Sequence, residues 1–286
     1  MKKIYYYNLD YEKDLFDLLI KHNIKVKLSE FNLPNSKQKW MSFYITFNSK
    51  AFIECLNYLP KKPNLIKYEF TKKEMDDSNW FYIRSTCMKL DNYNENTFEY
   101  SCFGEKEFYA GEMRSRVYHE FQVEPFAFKP IKWNEKNHFY SSYEGGYNII
   151  FCDDVARKLF EKNNIKGVKF LEVLNAKKNF VLSNSNQIFT DNIIPDDGLV
   201  IEGLDEGYVE IKKCPICGKI TYIPSNAFRL GIKREYLNSE FDIYRTNYLF
   251  GMSRGQPWYI ISKKIYKMLV EAKMTRNLLI QPIIIK

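Results

Sequence analysis

An α+β fold, with mixed sheets built from repeated strand-helix-strand units plus hairpins, follows from three features of the chain. These are a gapless internal repeat, a Gly or Asn where each copy changes direction, and alternating stretches bounded by Pro and Gly. Residues 150–173 (IFCDDVARKLFEKNNIKGVKFLEV) align with residues 260–283 (IISKKIYKMLVEAKMTRNLLIQPI) at an offset of 110. Like residues then coincide: Val155 with Ile265, Leu159 with Leu269, Glu161 with Glu271, Val168 with Leu278 and Phe170 with Ile280. Each copy reads as strand, short helix, strand, and a connection across a helix makes the two strands a parallel pair.

The N-terminal half uses the same plan. Residues 4–8 read as a strand, residues 11–22 as a helix with Leu15, Leu18 and Leu19 inward, and the following IKVKLSEF as a second strand. Residues 43–47, 50–58 and 65–70 make another such unit. Residues 97–103 and 117–128 alternate as antiparallel strands do, and PFAFKPIKW closes them on prolines that mark edges or turns. In the first strong repeat, residues 148–151 are a short apolar strand and Cys152-Asp153-Asp154 is an acidic helix start. Val155, Leu159 and Phe160 share one helical face, which predicts Leu159 and its counterpart Leu269 in the core. Ser262 takes the N-cap of the second copy. Gly167 and Asn277, the two residue types that best tolerate a left-handed backbone, end the helical part of each copy. The polar stretch 133–146 (WNEKNHFYSSYEGG) is the expected linker between an N-terminal α+β domain, 1–132, and a C-terminal one, 147–286, holding both repeats and a CPICG hairpin.

With 286 residues, 45% of them hydrophobic, the chain has enough apolar surface for one large core or two modest ones. It has no run near the ~18 apolar residues of a membrane span. The start MKKIYYYNLDYEKD carries aromatics and carboxylates where a secretory signal needs an apolar stretch, so a cytosolic protein is expected. The six cysteines are accordingly read as reduced thiols. The net charge of +8 is segregated: residues 1–146 carry 22 Lys/Arg against 20 Asp/Glu, residues 147–224 carry 10 against 11, and the last 62 carry 11 against 4. Such a basic segment suits an acidic protein or a phosphate backbone, or is a solvated face.

Cys214-Pro215-Ile216-Cys217-Gly218-Lys219, between strand-like residues 208–213 and 220–223, reads as a hairpin tip. Two thiolates two residues apart, with Gly after the second, form the knuckle that supplies half of a tetrahedral zinc site. The other half would come from Cys87, Cys102, His119 or another distant residue, because there is no second CxxC. A vestigial hairpin tip and a redox pair are the alternatives, the last disfavoured because the pair does not open a helix. A Gly-rich phosphate loop, a nucleophile elbow and HExxH are all absent, and caps or turns account for Asp76-Asp77, Asp153-Asp154 and Asp196-Asp197, so no enzyme is expected. His22 suits a helix end, and His119 a half-buried strand. Aromatics make up 17% of the chain and interleave with basic residues over 228–259. Single-strand nucleic-acid binders and protein interfaces both concentrate such residues, as does an ordinary core. Arg229, Lys233, Arg234, Arg245 and Arg254 are the candidate partner-binding groups there, with Glu235, Glu240 and Asp242 as the local carboxylates that would otherwise pair with them.

The CPICGK hairpin, the FDIYRTNYLFG segment and the terminal WYIISKKIYKMLVEAKMTRNLLIQPIII resemble the C-terminal half of the double-CXXCG motif proteins, a group associated with immunity to polymorphic bacterial toxins. EFQVEPFAFKPIKW, leading into GGYNIIFCDDVARKLFEKNNIKGVKFLEV, is similar to the middle of the same group, so the resemblance covers about residues 117–286. This chain keeps one CXXCG where that family shows two. The resemblance implies zinc ligation by Cys214 and Cys217, with the second pair missing. It also implies a cytosolic immunity protein that binds and neutralises a cognate toxin domain without turnover; the basic C-terminal segment adds the expectation that the toxin is acidic on its contact face, and the hydropathy that no membrane is involved. A zinc-knuckle nucleic-acid-binding protein is the competing class.

Overall fold

The structure, a computed structural model, describes residues 1–33, 36–61, 63–109, 112–143, 148–177, 180–202, 209–214, 216, 220–224, 229–247 and 257–286. The chain begins with β1 (Lys2–Asp10), α1 (Lys13–Lys21), β2 (Val26–Leu33), β3 (Ser36–Thr46), α2 (Lys50–Cys55), β4 (Leu65–Glu69) and α3 (Lys72–Asp77). There follow β5 (Trp80–Ser85), β6 (Met88–Leu90), β7 (Phe98–Tyr109), β8 (Glu112–Gln122), β9 (Ala127–Phe128), β10 (Phe139–Ser142), β11 (Ile150–Cys152), α4 (Asp154–Lys162), β12 (Lys169–Asn175) and β13 (Val181–Phe189). The last part holds β14 (Ile193–Ile194), β15 (Leu199–Glu202), β16 (Val209–Lys213), β17 (Ile220–Pro224), β18 (Arg229–Ile232), β19 (Ile243–Thr246), β20 (Tyr259–Ser262), α5 (Lys263–Glu271), β21 (Leu278–Pro282) and β22 (Ile284–Ile285). The fold is α+β with mixed sheets. Among the described residues no helix is long and apolar enough to cross a membrane.

Two compact units divide the described chain: Met1–Asp76, and Asp77 to Pro224 with Arg229 to Lys286. In the first, the strands lie in the order β2-β3-β1-β4 with every neighbouring pair antiparallel. Strands β1 and β2 are therefore parallel with β3 between them, and β3 and β4 are parallel with β1 between them. This is the split βαβ arrangement of ferredoxin-like folds. Alternation along β1 and β3 sends Tyr5, Tyr7, Met41, Phe43 and Ile45 to one face, all buried. There they meet the apolar sides of the helices: Leu15 and Leu19 of α1 are fully buried, and the ring of Phe52 in α2 stands edge-on to Tyr5 at 5.5 Å. Ser49 caps α2 by accepting from the Phe52 N–H.

The second unit contains a six-stranded sheet, β6-β10-β11-β13-β12-β9, and a five-stranded one, β14-β19-β20-β5-β21. A three-stranded sheet, β15-β18-β22, and the hairpins β7-β8 and β16-β17 complete it. Both strong repeats are present in the expected order, β11-α4-β12 and β20-α5-β21. Each is split: β13 lies between β11 and β12, and β5 lies between β20 and β21, antiparallel to both neighbours in each case. The paired strands of each repeat are thus parallel without touching, which corrects the expectation of directly bonded pairs.

The register also differs by one residue over the helices. The caps Asp153 and Ser262, which accept from Ala156 N and Ile265 N, lie 109 residues apart, as do the left-handed residues Asn164 and Lys273 that follow. Only at Gly167 (φ +84°) and Asn277 (φ +65°) does the offset become 110, because the second copy has one more residue in its turn. The inward face of α4 is accordingly Ala156 and Phe160, matching Ile265 and Leu269 of α5. Val155 is 53% exposed and Leu159 is half-buried, so their placement in the core is corrected, while Leu269 is fully buried as expected.

The domain boundary falls near Asp77, not in residues 133–146. Strand β5 belongs to a sheet made with the C-terminal β20 and β21, and β6 pairs with β10. The supposed linker contributes β10, buried at all four residues, to the centre of the second unit. Its polar letters misled because Ser141 and Ser142 are buried there among backbone hydrogen bonds, Ser141 N–H donating to the Cys87 carbonyl at 3.0 Å.

A Cβ at Gly167 would sit 2.3 Å from Asn192 Nδ2, whose amide already donates to the Ile243 carbonyl. Gly167→Ala is expected to cost about 1–3 kcal/mol, from the left-handed backbone and that clash together. A urea denaturation midpoint unchanged from the parent would show that the turn relaxes freely.

Candidate functional site

Strands β16 and β17 form the expected hairpin, in register from Val209↔Pro224 to Lys213↔Ile220. Cys214 stands at its tip with 4% exposure, and Cys217 lies outside the described residues. Cys87 is partly exposed, and its carbonyl accepts from Ser85 Oγ at 3.3 Å and Ser141 Oγ at 3.3 Å. The side chains of Cys102 and His119 also lie outside the described residues. Among the described residues no three His, Cys, Asp or Glu side chains converge to hold a metal ion. Of the residues expected to ligate zinc, Cys214 and Cys87 alone have described side chains, and the described part of the chain does not assemble a tetrahedral site. Apolar side chains distinguish this hairpin: Ile211 is 47%, Ile216 59% and Ile220 38% exposed.

The basic stretch behaves differently from residue to residue. Arg229 faces Glu202 across β15 and β18, with an ion pair at 3.8 Å. Lys233 is half-buried at the start of the 3-10 turn Arg234–Tyr236. Arg234 is exposed, and its backbone N–H donates to the Lys286 carbonyl at 2.7 Å. Arg254 lies outside the described residues. Arg245 is only 9% exposed: its Nε donates to the Thr190 carbonyl at 2.9 Å, and its guanidinium lies 5.1 Å from the Phe189 ring centroid. A group so enclosed cannot steer a partner through solvent, and Arg245 is corrected to a core brace. Among the described residues Asp242 does not pair with the arginines either. It accepts from Lys166 N–H at 2.9 Å and Ser262 Oγ at 2.8 Å, tying the turn of the first repeat to the helix start of the second.

Sequence reasoning missed one buried polar cluster. In the β10-β11 ladder Phe139 faces Cys152, which sets His138 beside Asp153. Asp153 Oδ2 holds His138 Nδ1 at 2.8 Å while its Oδ1 caps α4 at 2.9 Å, so both oxygens are committed. Cys152, fully buried next to them, resembles the nucleophile of a Cys-His pair. Burial, reinforced by Asp153 and Asp154, pushes its thiol well above the ordinary range, so the thiolate that such chemistry requires is suppressed. The cluster fastens a helix to a sheet. The acidic start at Cys152-Asp153-Asp154 gave the cap in the sequence, but His138 sat within the supposed linker, with no local signal of its partner. No protein-family model matches the chain, and no curated protein matches it.

Proposed function

We propose that the protein neutralises a cognate bacterial polymorphic toxin by binding it, acting stoichiometrically in the cytosol of the producing cell. The resemblance to double-CXXCG motif proteins supports this reading, and the β16-β17 hairpin is the observation that carries it. Among the described residues the hairpin adds no third strand, and a two-stranded ribbon is marginal on its own. Yet it holds Ile211 and Ile220 on its strands and Ile216 at its tip in solvent, a pattern that suits a covered contact. The exposed Lys213 at the end of β16 suits the rim of such a contact, where charge steers an acidic partner.

Co-expression with the cognate toxin domain is expected to keep cells alive and to yield a co-purifying pair. Ile216→Asp should weaken that association by at least about 10-fold, by placing a charge at the apolar contact, and should leave stability within about 0.5 kcal/mol because the side chain is exposed. Survival without physical association would point instead to enzymatic detoxification and overturn the reading.

A further inference from the structure

We propose that the open face of the first unit's sheet binds single-stranded nucleic acid. This goes beyond the toxin reading and does not depend on it. Helices α1 and α2 cover one face of that sheet, and the residues alternating with the buried set project to the other. On that outer face Tyr6 of β1 and Tyr44 of β3, direct cross-strand partners on the two central strands, lie with ring centroids 4.8 Å apart and planes tilted by 42°. Tyr44 is 53% exposed. A second aromatic pair shares the face: Trp40, four residues back along β3, meets the 56%-exposed Phe31 at 6.2 Å. The two pairs stand about 13 Å apart at the usual strand rise. Between them Asn8 and Ser42 form a polar floor. Cross-strand packing accounts for rings that touch, but gives no reason to leave them in water.

The charge around these rings selects the occupant. Lys27 faces Ser42 in the outward register, and Lys25 precedes it. Both line a cavity of about 690 Å³ with Tyr6, Ser42 and Tyr44. Neither ammonium has an ion pair among the described residues. The carboxylates of this face stand at its ends and are engaged: Asp10 accepts from Gln38 Nε2 at 2.8 Å, and Glu69 is paired with Lys67 at 2.8 Å. Residues 1–76 carry 14 lysines against nine carboxylates, and no arginine. Protein interfaces are depleted in Lys and enriched in Arg, whereas a strand of nucleotides needs exposed ring faces for its bases and point cations for its phosphates. Bases therefore stack on Tyr44 and Tyr6, and on Phe31 and Trp40, while Lys25 and Lys27 take the backbone.

The test is fluorescence anisotropy of the full chain with labelled 12-nucleotide oligouridylate and oligothymidylate at low salt, repeated over a salt series. Binding of either probe supports the proposal, and the stronger of the two shows whether the 2′-hydroxyl is read. Tyr44→Ala and Tyr6→Ala are expected to weaken binding about 5- to 150-fold each, the loss of one stacked base, while Tyr44→Phe retains it. Lys25→Gln with Lys27→Gln should reduce the slope of log K against log salt by about 0.7 per lysine, and Lys13→Gln on α1 should leave it unchanged. Circular dichroism melts establish that each variant is folded. The proposal fails if neither probe binds at ~100 μM folded protein. It fails equally if binding is indifferent to both tyrosines, or if Tyr44→Ala instead releases a bound protein partner. Toxin association, read through Ile216, is unaffected by any of these variants, so the two readings fail separately.

Discussion

Phe151→Ala is expected to destabilise the protein by about 3–5 kcal/mol, a large share of the 5–15 kcal/mol that holds a typical domain. Phe151 is fully buried on β11, in the middle of the six-stranded sheet. Its ring is met edge-on by Phe126 at 5.0 Å and Phe128 at 4.8 Å, and Phe126 in turn meets Phe98 at 5.4 Å. Val173, Leu182 and Tyr140 close the same cluster. Truncation removes the shared ring of two edge-to-face pairs and leaves a cavity among rigid aromatics that collapse poorly. The informative control is Val155→Ala on α4, only a few residues away. Val155 is half in water, so its loss should fall within about 0.5 kcal/mol. Urea titrations should show a lower midpoint for Phe151→Ala at unchanged slope. A loss below about 1 kcal/mol would place the core elsewhere.

Arg245→Ala is expected to cost about 2–4 kcal/mol and to leave partner affinity, compared at equal folded fraction, unchanged. The guanidinium donates to the Thr190 carbonyl and to the Thr246 carbonyl at 3.5 Å, and its plane lies near Phe189. Hydrogen bonds from a charged donor are worth about 1.5–3 kcal/mol, and removing this one strands a carbonyl at a residue that is itself fully buried. Arg245→Met, which keeps most of the volume, should recover the packing share but not the hydrogen bonds. An affinity loss with unchanged stability would return Arg245 to the surface role that its sequence position suggests.

Local signals in the sequence carried well. Caps at Asp153 and Ser262, the left-handed Gly167 and Asn277, and the periodicity of Leu15 and Leu19 are all set within one or two helical turns, and each stands where it was read. The one-residue slip between the repeats was concealed because an alignment can satisfy one offset at a time, and the extra turn residue lies between the two anchors. What lies between paired strands was invisible: β5 reaches its neighbours from the far end of the chain, and no periodicity encodes that. The misplaced boundary hid charge as well. Residues 1–146 look nearly neutral, but 1–76 carry +5 and 77–146, with 8 Lys/Arg against 11 Asp/Glu, carry −3. The basic and aromatic face of the first unit was therefore averaged away. Tyr6 and Tyr44 could be brought together only by the register of β1 on β3.

The insertion of β5 between β20 and β21 also sets a timetable for biosynthesis. Trp80 pairs with Ser262 and Phe81 with Pro282, so a central strand of the five-stranded sheet emerges from the ribosome long before either neighbour exists. At roughly 5–20 residues per second, Phe81, Tyr82 and Ile83 wait on the order of 10 s or more with both hydrogen-bonding edges bare. The nascent chain is consequently most open to wrong strand pairing during that interval, which is when factors that shelter apolar segments have the most bare edge to cover.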